Sequence, residues 1–301
     1  MKNRPILVTG IPRSGTTWIG KMVAQSSQIC YINEPLNTYF TLGTCRSVVR
    51  TWFPYITENA DIQYDYVFNR VMKYKLNLYK EIKYMSSLWH AINSFSHLYR
   101  FIPARIIKQR PLLKDPMAIF SAEWFAKRYN CQVVIVIRHP LAFIGSVKRL
   151  KWYFDFNGLL QQKELINGPL YRYKDEIKYQ IENSGNIINQ AVLLWNIIHN
   201  QIIDYQKKYP NWIFILHEHI SLFPTTEFKL LFQKLNLDYT DMIDKNVRKY
   251  SFSSVREIPD GKVFYLKRNS KCNITSWKKR LTRKEIDYIT RKTALVASCF
   301  Y

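Results

Sequence analysis

Gly10 and Gly15 bracket the loop Gly10-Ile11-Pro12-Arg13-Ser14-Gly15, which follows a short apolar run and leads into Thr16-Thr17-Trp18. Two glycines at this spacing let a loop turn its backbone N–H groups toward one point with no Cβ in the way. A helix opening at Thr16 adds the positive end of its dipole and its unpaired amide donors. Thr16 and Thr17 supply hydroxyl donors, and Arg13 can chelate two oxygens at once. A nucleoside-triphosphatase loop carries Lys after its second Gly, but here Thr16 stands in that place and the cation has moved inside the loop to Arg13. The chemistry expected is phosphate binding without a standard ATPase mechanism. A plain Gly-containing turn between strand and helix is the alternative reading.

The residue types are more specific than the spacing. Pro12-Arg13-Ser14-Gly15-Thr16-Thr17-Trp18 resembles the 5′-phosphosulfate loop of the sulfotransferases that use 3′-phosphoadenosine 5′-phosphosulfate (PAPS). The resemblance implies that these seven residues hold the donor's 5′ end and that Arg13 stabilises the leaving group. A second match lies downstream. Gln132 to Ile137 reads as a fully buried strand bounded by Arg138-His139-Pro140, with a helix expected through Val147. Arg138 at the strand end, Pro140 close after it and Ser146 eight positions on resemble the family's 3′-phosphate motif. Arg138 and Ser146 can both face the crevice where α/β folds bind nucleotides. A third match is the Trp277-Lys278 pair before the last helix, which resembles the segment whose preceding loop closes over the donor. Lys267, Arg268 and Lys271 are candidate phosphate contacts there, although the Arg-Lys-Gly triplet of the cytosolic branch is missing. For Lys278 to Lys284 a solvated helix start is the competing reading.

The resemblance implies in-line displacement at sulfur with PAPS as co-substrate and no metal. Such a reaction needs a base for the acceptor hydroxyl and cations for the developing charge. Glu34 is the first candidate base, because Glu34-Pro35-Leu36 resembles a segment of carbohydrate-type and bacterial sulfotransferases in which a Glu follows the second strand. Pro35 favours an extended approach that holds the carboxylate at the strand tip. An exposed loop Glu is the alternative. Lys114, in Leu112-Leu113-Lys114-Asp115-Pro116, resembles a family segment that can touch the sulfuryl oxygens. His90 and His97 lie where the cytosolic branch places its His, outside that branch's motif. His217 and His219 flank Glu218 and would share a face on a strand, but no third ligand cluster accompanies them, so core or rim histidines are expected rather than a metal site.

The elements that must position these groups alternate. Arg4 to Thr9 is expected as a strand, Thr16 to Ser26 as a helix and Ile29 to Asn33 as a strand. An aromatic, mostly helical insertion spans about residues 52–104, and Ala104 to Leu113 reads as a strand or approach loop. Phe120 to Tyr129 is expected as helix, 151–186 as an irregular stretch that could serve as a lid over the acceptor, Ile187 to Tyr209 as a long helix and Trp212 to Leu216 as a buried strand. The alternation predicts an α/β fold, a P-loop-type central parallel sheet flanked by helices with the insertion and lid added, in one domain over 1–301.

The chain has 301 residues, 47% hydrophobic, and a formal net charge of +23 from 45 Lys and Arg against 22 Asp and Glu. That excess points to an anionic partner or a membrane surface, and holding PAPS explains only part of it. A hydroxyl acceptor on a carbohydrate or glycolipid is favoured by the Glu34 resemblance, nucleic acid is disfavoured, and peripheral membrane contact fits the charge. No window reads as a signal peptide or membrane span. Five cysteines without metal spacing, with Cys131 and Cys299 expected as buried thiols, suit a cytoplasmic enzyme. Two other classes stay open from sequence alone, a P-loop kinase and a non-catalytic basic polyanion binder. The first lacks its Lys, and the second leaves the paired motifs unexplained.

Overall fold

The computed structural model describes residues 4–39, 42–57, 61–84, 88–183, 185–255, 266 and 269–301. Strand β1, Ile6–Gly10, is buried along its whole length. An unbroken apolar run without alternation belongs in a strand covered on both faces, as parallel sheets require. β1 is the centre of a five-stranded parallel sheet with β2 (Ile29–Asn33), β3 (Arg110–Lys114), β4 (Gln132–Ile137) and β5 (Ile213–Leu216), ordered β2-β3-β1-β4-β5. Val8 stands between Lys114 and Val134 in register. Successive side chains go to opposite faces. Ile6, Val8, Leu112 and Val134 enter one core with Trp18, Ile19 and Phe228. Leu7, Leu113, Val133 and Ile135 enter the other, with Phe125, Phe143 and Trp195. The α/β architecture expected from the alternation is the one observed.

The helices named below are α1 (Thr16–Val23), α2 (Asp61–Met72), α3 (Leu78–Lys83), α4 (Leu88–Ile106), α5 (Ala122–Tyr129) and α6 (Pro140–Arg149), followed by a long helix at Ile187–Lys208 and a last one at Arg283–Ala297. Four expectations change. β5, expected as a buried strand, is half-buried along its whole length because it is the edge of the sheet. Residues 104–106 continue α4, so the strand expected from Ala104 starts at Arg110. The stretch expected to be irregular carries helices at Asn157–Leu160, Lys163–Asn167 and Lys174–Glu182, and Leu159, Leu165, Ile166 and Ile177 are buried in the same core as the sheet. Its helices are four to nine residues long, too short to register as periodicity until the core supplies the other side. His217 opens a helix, His217–Leu222, rather than ending a strand.

Cys30, Cys45 and Cys131 are buried free thiols, whereas Cys299 is exposed because it lies beyond the last turn of the final helix. Burial pushes the Cys131 thiol up to about 12. Among the described residues no helix is long and apolar enough to cross a membrane.

Candidate active site

A parallel sheet delivers every strand's carboxyl end to one edge, and Arg13, Glu34, Lys114 and Arg138 follow or end strands there. The first turn out of β1 is set by backbone geometry. Gly10 has φ 145°, and a Cβ on it would lie 2.4 Å from the Val136 carbonyl oxygen of the neighbouring strand. Gly15 has φ 98°, and a Cβ there would lie 2.5 Å from His217 Nδ1. Arg13 itself sits in the left-handed region at φ 71°, which turns the loop back on itself. Gly15 caps α1 without a side-chain bond, and no acidic residue occupies the first turn. The helix therefore presents its positive end to the loop.

The second cationic group comes from β4. Arg138 is buried, and its Nη1 donates to the Arg13 carbonyl oxygen. Its own carbonyl accepts from Trp195 Nε1 at 2.9 Å. Burial lowers the guanidinium to about 10, so it stays cationic at neutral pH. Ser146, in the second turn of α6, accepts from Arg13 Nε at 3.3 Å. The loop after β1 and the helix after β4 are thus joined directly. One step further along the edge, Glu218 accepts the His139 amide at 3.1 Å and the Tyr301 hydroxyl at 2.8 Å.

On the other side of β1, Lys114 at the end of β3 forms an ion pair with Glu34, which follows β2. Lys114 is almost wholly buried, and Glu34 is largely so. Glu34 has φ 47°, a left-handed turn in place of the extended backbone expected before Pro35, because its amide and its carbonyl are both tied down, the amide to the Lys114 carbonyl at 2.8 Å and the carbonyl to the Asn37 amide at 3.1 Å; its other carboxylate oxygen accepts from Asn37 Nδ2. Buried Asp115 fixes this corner by accepting from the amides of Leu36 and Met117. Burial first, and the neighbouring Glu34 charge second, push the Asp115 carboxyl up to about 7.

One cleft of about 370 Å³ connects these groups. Pro12, Arg13, Gly15, Thr16, Thr17, Arg138 and Ser146 line one part of it, and Glu34 and Asn37 another. Lys114 reaches the cleft through Glu34. Ser14 is buried beneath the loop, and its Oγ has no hydrogen-bond partner. Trp18 points into the opposite core, edge-on to Phe228 at 5.2 Å. Trp277 packs on α6 instead of lining the cleft: a Cβ on Gly145 would come within 2.9 Å of the Trp277 Cβ. That close approach braces the helix that carries Ser146. Lys278 Nζ lies over the Trp277 ring at 5.8 Å, outside the cleft. Lys267 and Arg268 lie outside the described residues. His97 is fully buried, edge-on to Phe101, and away from the cleft lining. The His90 side chain is outside the described set. His217 is buried beside Asn273, 3.1 Å from its Nε2, while His219 is exposed and faces Glu227 at 3.3 Å. On a helix, i and i+2 diverge, and among the described residues no cluster of metal-ligand types forms.

Sequence reasoning missed Asn37, Arg280, Asn273 and the aromatic wall of Tyr39, Trp52 and Trp152, all of which line the cleft. Asn37 had a local signal, since its amide closes a tight turn onto the Glu34 carbonyl at 3.1 Å. Arg280 belongs to the same basic run as Lys278, two residues on. The cleft suits a nucleotide carrying two phosphate-like groups. It offers two cationic side chains, Arg13 bonded to Ser146 and Arg138 bonded to the Arg13 carbonyl, a Gly-turned loop at a helix N-terminus, and a buried Arg138 Nε without a partner.

The profile of the sulfotransferase family matches residues 5–179, more than half of the chain and all of β1 through α6. Among solved structures, the sulfotransferase domain from the curacin biosynthetic pathway is similar at 13% identity with a TM-score of 0.51, over 98% of this chain and 99% of that one. The sulfotransferase domain from the Synechococcus PCC 7002 olefin synthase aligns at 16% identity and 0.49, over 97% and 96%. Mouse sulfotransferase SULT7A1, solved with PAP, aligns at 12% identity and 0.44, over 97% and 84%. At 13% identity the likeness to the curacin-pathway domain speaks to fold alone. No curated protein sequence matches the chain.

Proposed function

The chain belongs to the sulfotransferase family, and we propose that it moves a sulfuryl group from PAPS to a hydroxyl on a carbohydrate or glycolipid, by in-line displacement and without a metal. The observation that carries this reading is the Arg13–Ser146 contact opposite the Glu34–Lys114 pair across one cleft. The donor supplies an activated sulfuryl group on a good leaving group. In this proposal the amides of residues 13–17 and the hydroxyls of Thr16 and Thr17 hold its 5′ end, and Arg138 and Ser146 hold its 3′-phosphate. Arg13 neutralises charge growing on the leaving oxygen. Glu34 takes the proton of the attacking hydroxyl. Its two carboxylate oxygens are held by Lys114 and Asn37, and each keeps a second lone pair for that task. Lys114 and Asn37 position Glu34. Tyr39, Trp52 and Trp152 offer flat apolar faces that suit sugar rings. The burial of Phe53, Phe101, Leu159 and Ile177 in the same core as the sheet supports reading insertion, lid and sheet as one domain. We extend the reading to a soluble cytoplasmic enzyme.

The test is ligand choice. Adenosine 3′,5′-bisphosphate should raise the melting temperature without added metal, by the equivalent of about 2.7 kcal/mol at a hundredfold excess over Kd. Labelled PAPS should then pass its sulfuryl group to a member of a hydroxyl-acceptor panel. Equal stabilisation by ATP with Mg²⁺, or by AMP, overturns the PAPS assignment.

A further inference from the structure

Helix α4 is apolar on two sides. His97, Phe101 and Ala104 are buried against the body of the protein. Facing away from them, Ile92, Phe95, Tyr99, Ile102 and Ile106 are exposed, from 61% for Ile102 to 83% for Tyr99. Their spacing of three, four, three and four residues places them in one stripe along the helix. Ile107 is exposed just past the helix end, and α3 exposes Leu78, Tyr79 and Ile82. Single exposed apolar residues need no explanation, but a continuous stripe over two heptads marks a surface made to be covered.

Charge identifies what covers it. Residues 73–108 contain Lys73, Lys75, Lys80, Lys83, Arg100, Arg105 and Lys108 against one acid, Glu81. Glu81 is buried and accepts from the amides of Gly43 and Thr44. It therefore offsets nothing on the surface, where Arg105 and Lys108 stand exposed at the end of the stripe. We infer that α4 docks the protein onto an anionic lipid bilayer, its stripe sunk into the headgroup region and Arg105 and Lys108 set against lipid phosphates and carboxylates. An amphipathic helix with Ile, Phe and Tyr on one side and cations beside them is the form such contacts take. The helix lies on the surface, since it is not apolar enough to span. A second copy of the chain is the other partner that a stripe of this spacing would fit. Two heptads are short of the three or four that sustain a coiled coil, Pro103 inside the helix removes a backbone donor, and the segment offers no exposed acid to pair with a partner's cations. This docking is independent of the donor reading.

The experiment is co-sedimentation of the full chain with vesicles of phosphatidylcholine alone and of phosphatidylcholine mixed with phosphatidylserine, at physiological salt. A chain this basic adheres weakly to any anionic surface, so the stripe variants decide. Phe95→Ser with Ile102→Ser should lower partitioning onto the anionic vesicles at least tenfold. Arg105→Gln with Lys108→Gln should lower it roughly 25-fold, at about a factor of five per cation near the surface. Lys229→Gln with Lys245→Gln, on other helices, should change it far less. All three pairs should keep the wild-type melting temperature, which separates lost docking from lost folding. The inference is overturned if the Phe95/Ile102 pair binds like the parent, if the Lys229/Lys245 pair loses as much as the Arg105/Lys108 pair, or if the stripe instead mediates a concentration-dependent dimer that the Phe95/Ile102 pair dissolves.

Discussion

Arg13, Arg138 and Ser146 on one side of the cleft, and Tyr39, Trp52 and Trp152 on the other, are held in place by different means. The first group sits at the ends of two adjacent central strands. Its positions follow from β1–β4 pairing, from two glycines at positive φ, and from bonds that join loop to helix directly. The second group comes from three separate stretches of chain. Its rings pack on one another: Trp52 to Trp152 at 5.6 Å, Trp52 to Tyr39 at 5.5 Å, and Trp52 to Phe154 at 6.2 Å. Backbone-set geometry tolerates little change and suits a donor that never varies. A wall of side chains on irregular segments can be rebuilt ring by ring, which suits the half that selects an acceptor. The pair at the seam, Glu34 and Lys114, belongs to the first kind by its backbone and serves the second by its chemistry.

That division can be broken experimentally. The largest effect is expected at the seam. Glu34→Gln keeps size and hydrogen-bond reach but removes the base, so turnover should fall on the order of a hundredfold or more while adenosine 3′,5′-bisphosphate binds as before. Near-parental turnover would return Glu34 to an ordinary loop residue. Arg138→Ala comes next. Losing a charge-assisted contact should weaken binding of the 3′,5′-bisphosphate by about 1.5–3 kcal/mol, and barely affect a ligand lacking the 3′-phosphate. An equal loss with both ligands would mean that the site itself had collapsed. On the opposite wall, Trp52→Ala should raise the acceptor KM about tenfold through lost ring contacts, with donor affinity unchanged. A matching fall in donor affinity would show that the two walls are one unit.

The same division explains what was legible in the sequence. β1, β2 and β4 could be read to within a residue or two because they are short, mainly apolar runs, and the donor residues could be read because glycine, arginine and serine had to fall at fixed distances along the chain. Glu34 and Lys114 were visible as separate candidates, but their pairing depends on β2 and β3 being neighbours in the sheet. Tyr39, Trp52 and Trp152 carried no periodic signal, since they come together only in the tertiary packing. Trp277 was found through the resemblance of its segment, and its side chain packs on Gly145 because a glycine in α6 lets that segment approach closely. His217 and His219 were read in the wrong element, because the apolar run of β5 ends at Leu216 with no glycine or proline to mark the switch to helix.

The smallest effect tests how far the backbone-set half extends. The Tyr301 hydroxyl donates to Glu218, and the other oxygen of Glu218 accepts the amide of His139, the residue directly after Arg138. Tyr301→Phe removes one oxygen and leaves the ring, which also packs edge-on against His139 at 4.9 Å. The lost bond is partly open to solvent, so its net worth lies at the low end of about 0.5–1.5 kcal/mol. Tyr301 touches no ligand in the proposed scheme. Its loss should therefore loosen the turn that carries Arg138, raising the donor KM about two- to threefold with kcat and acceptor KM unchanged. Titration with the 3′,5′-bisphosphate should show the same small loss, and a ligand without the 3′-phosphate should show none. A fall in kcat would place Tyr301 nearer the chemistry than this structure does. A change in acceptor KM would tie the C-terminal residues to the aromatic wall, and the separation of the two halves would then be wrong.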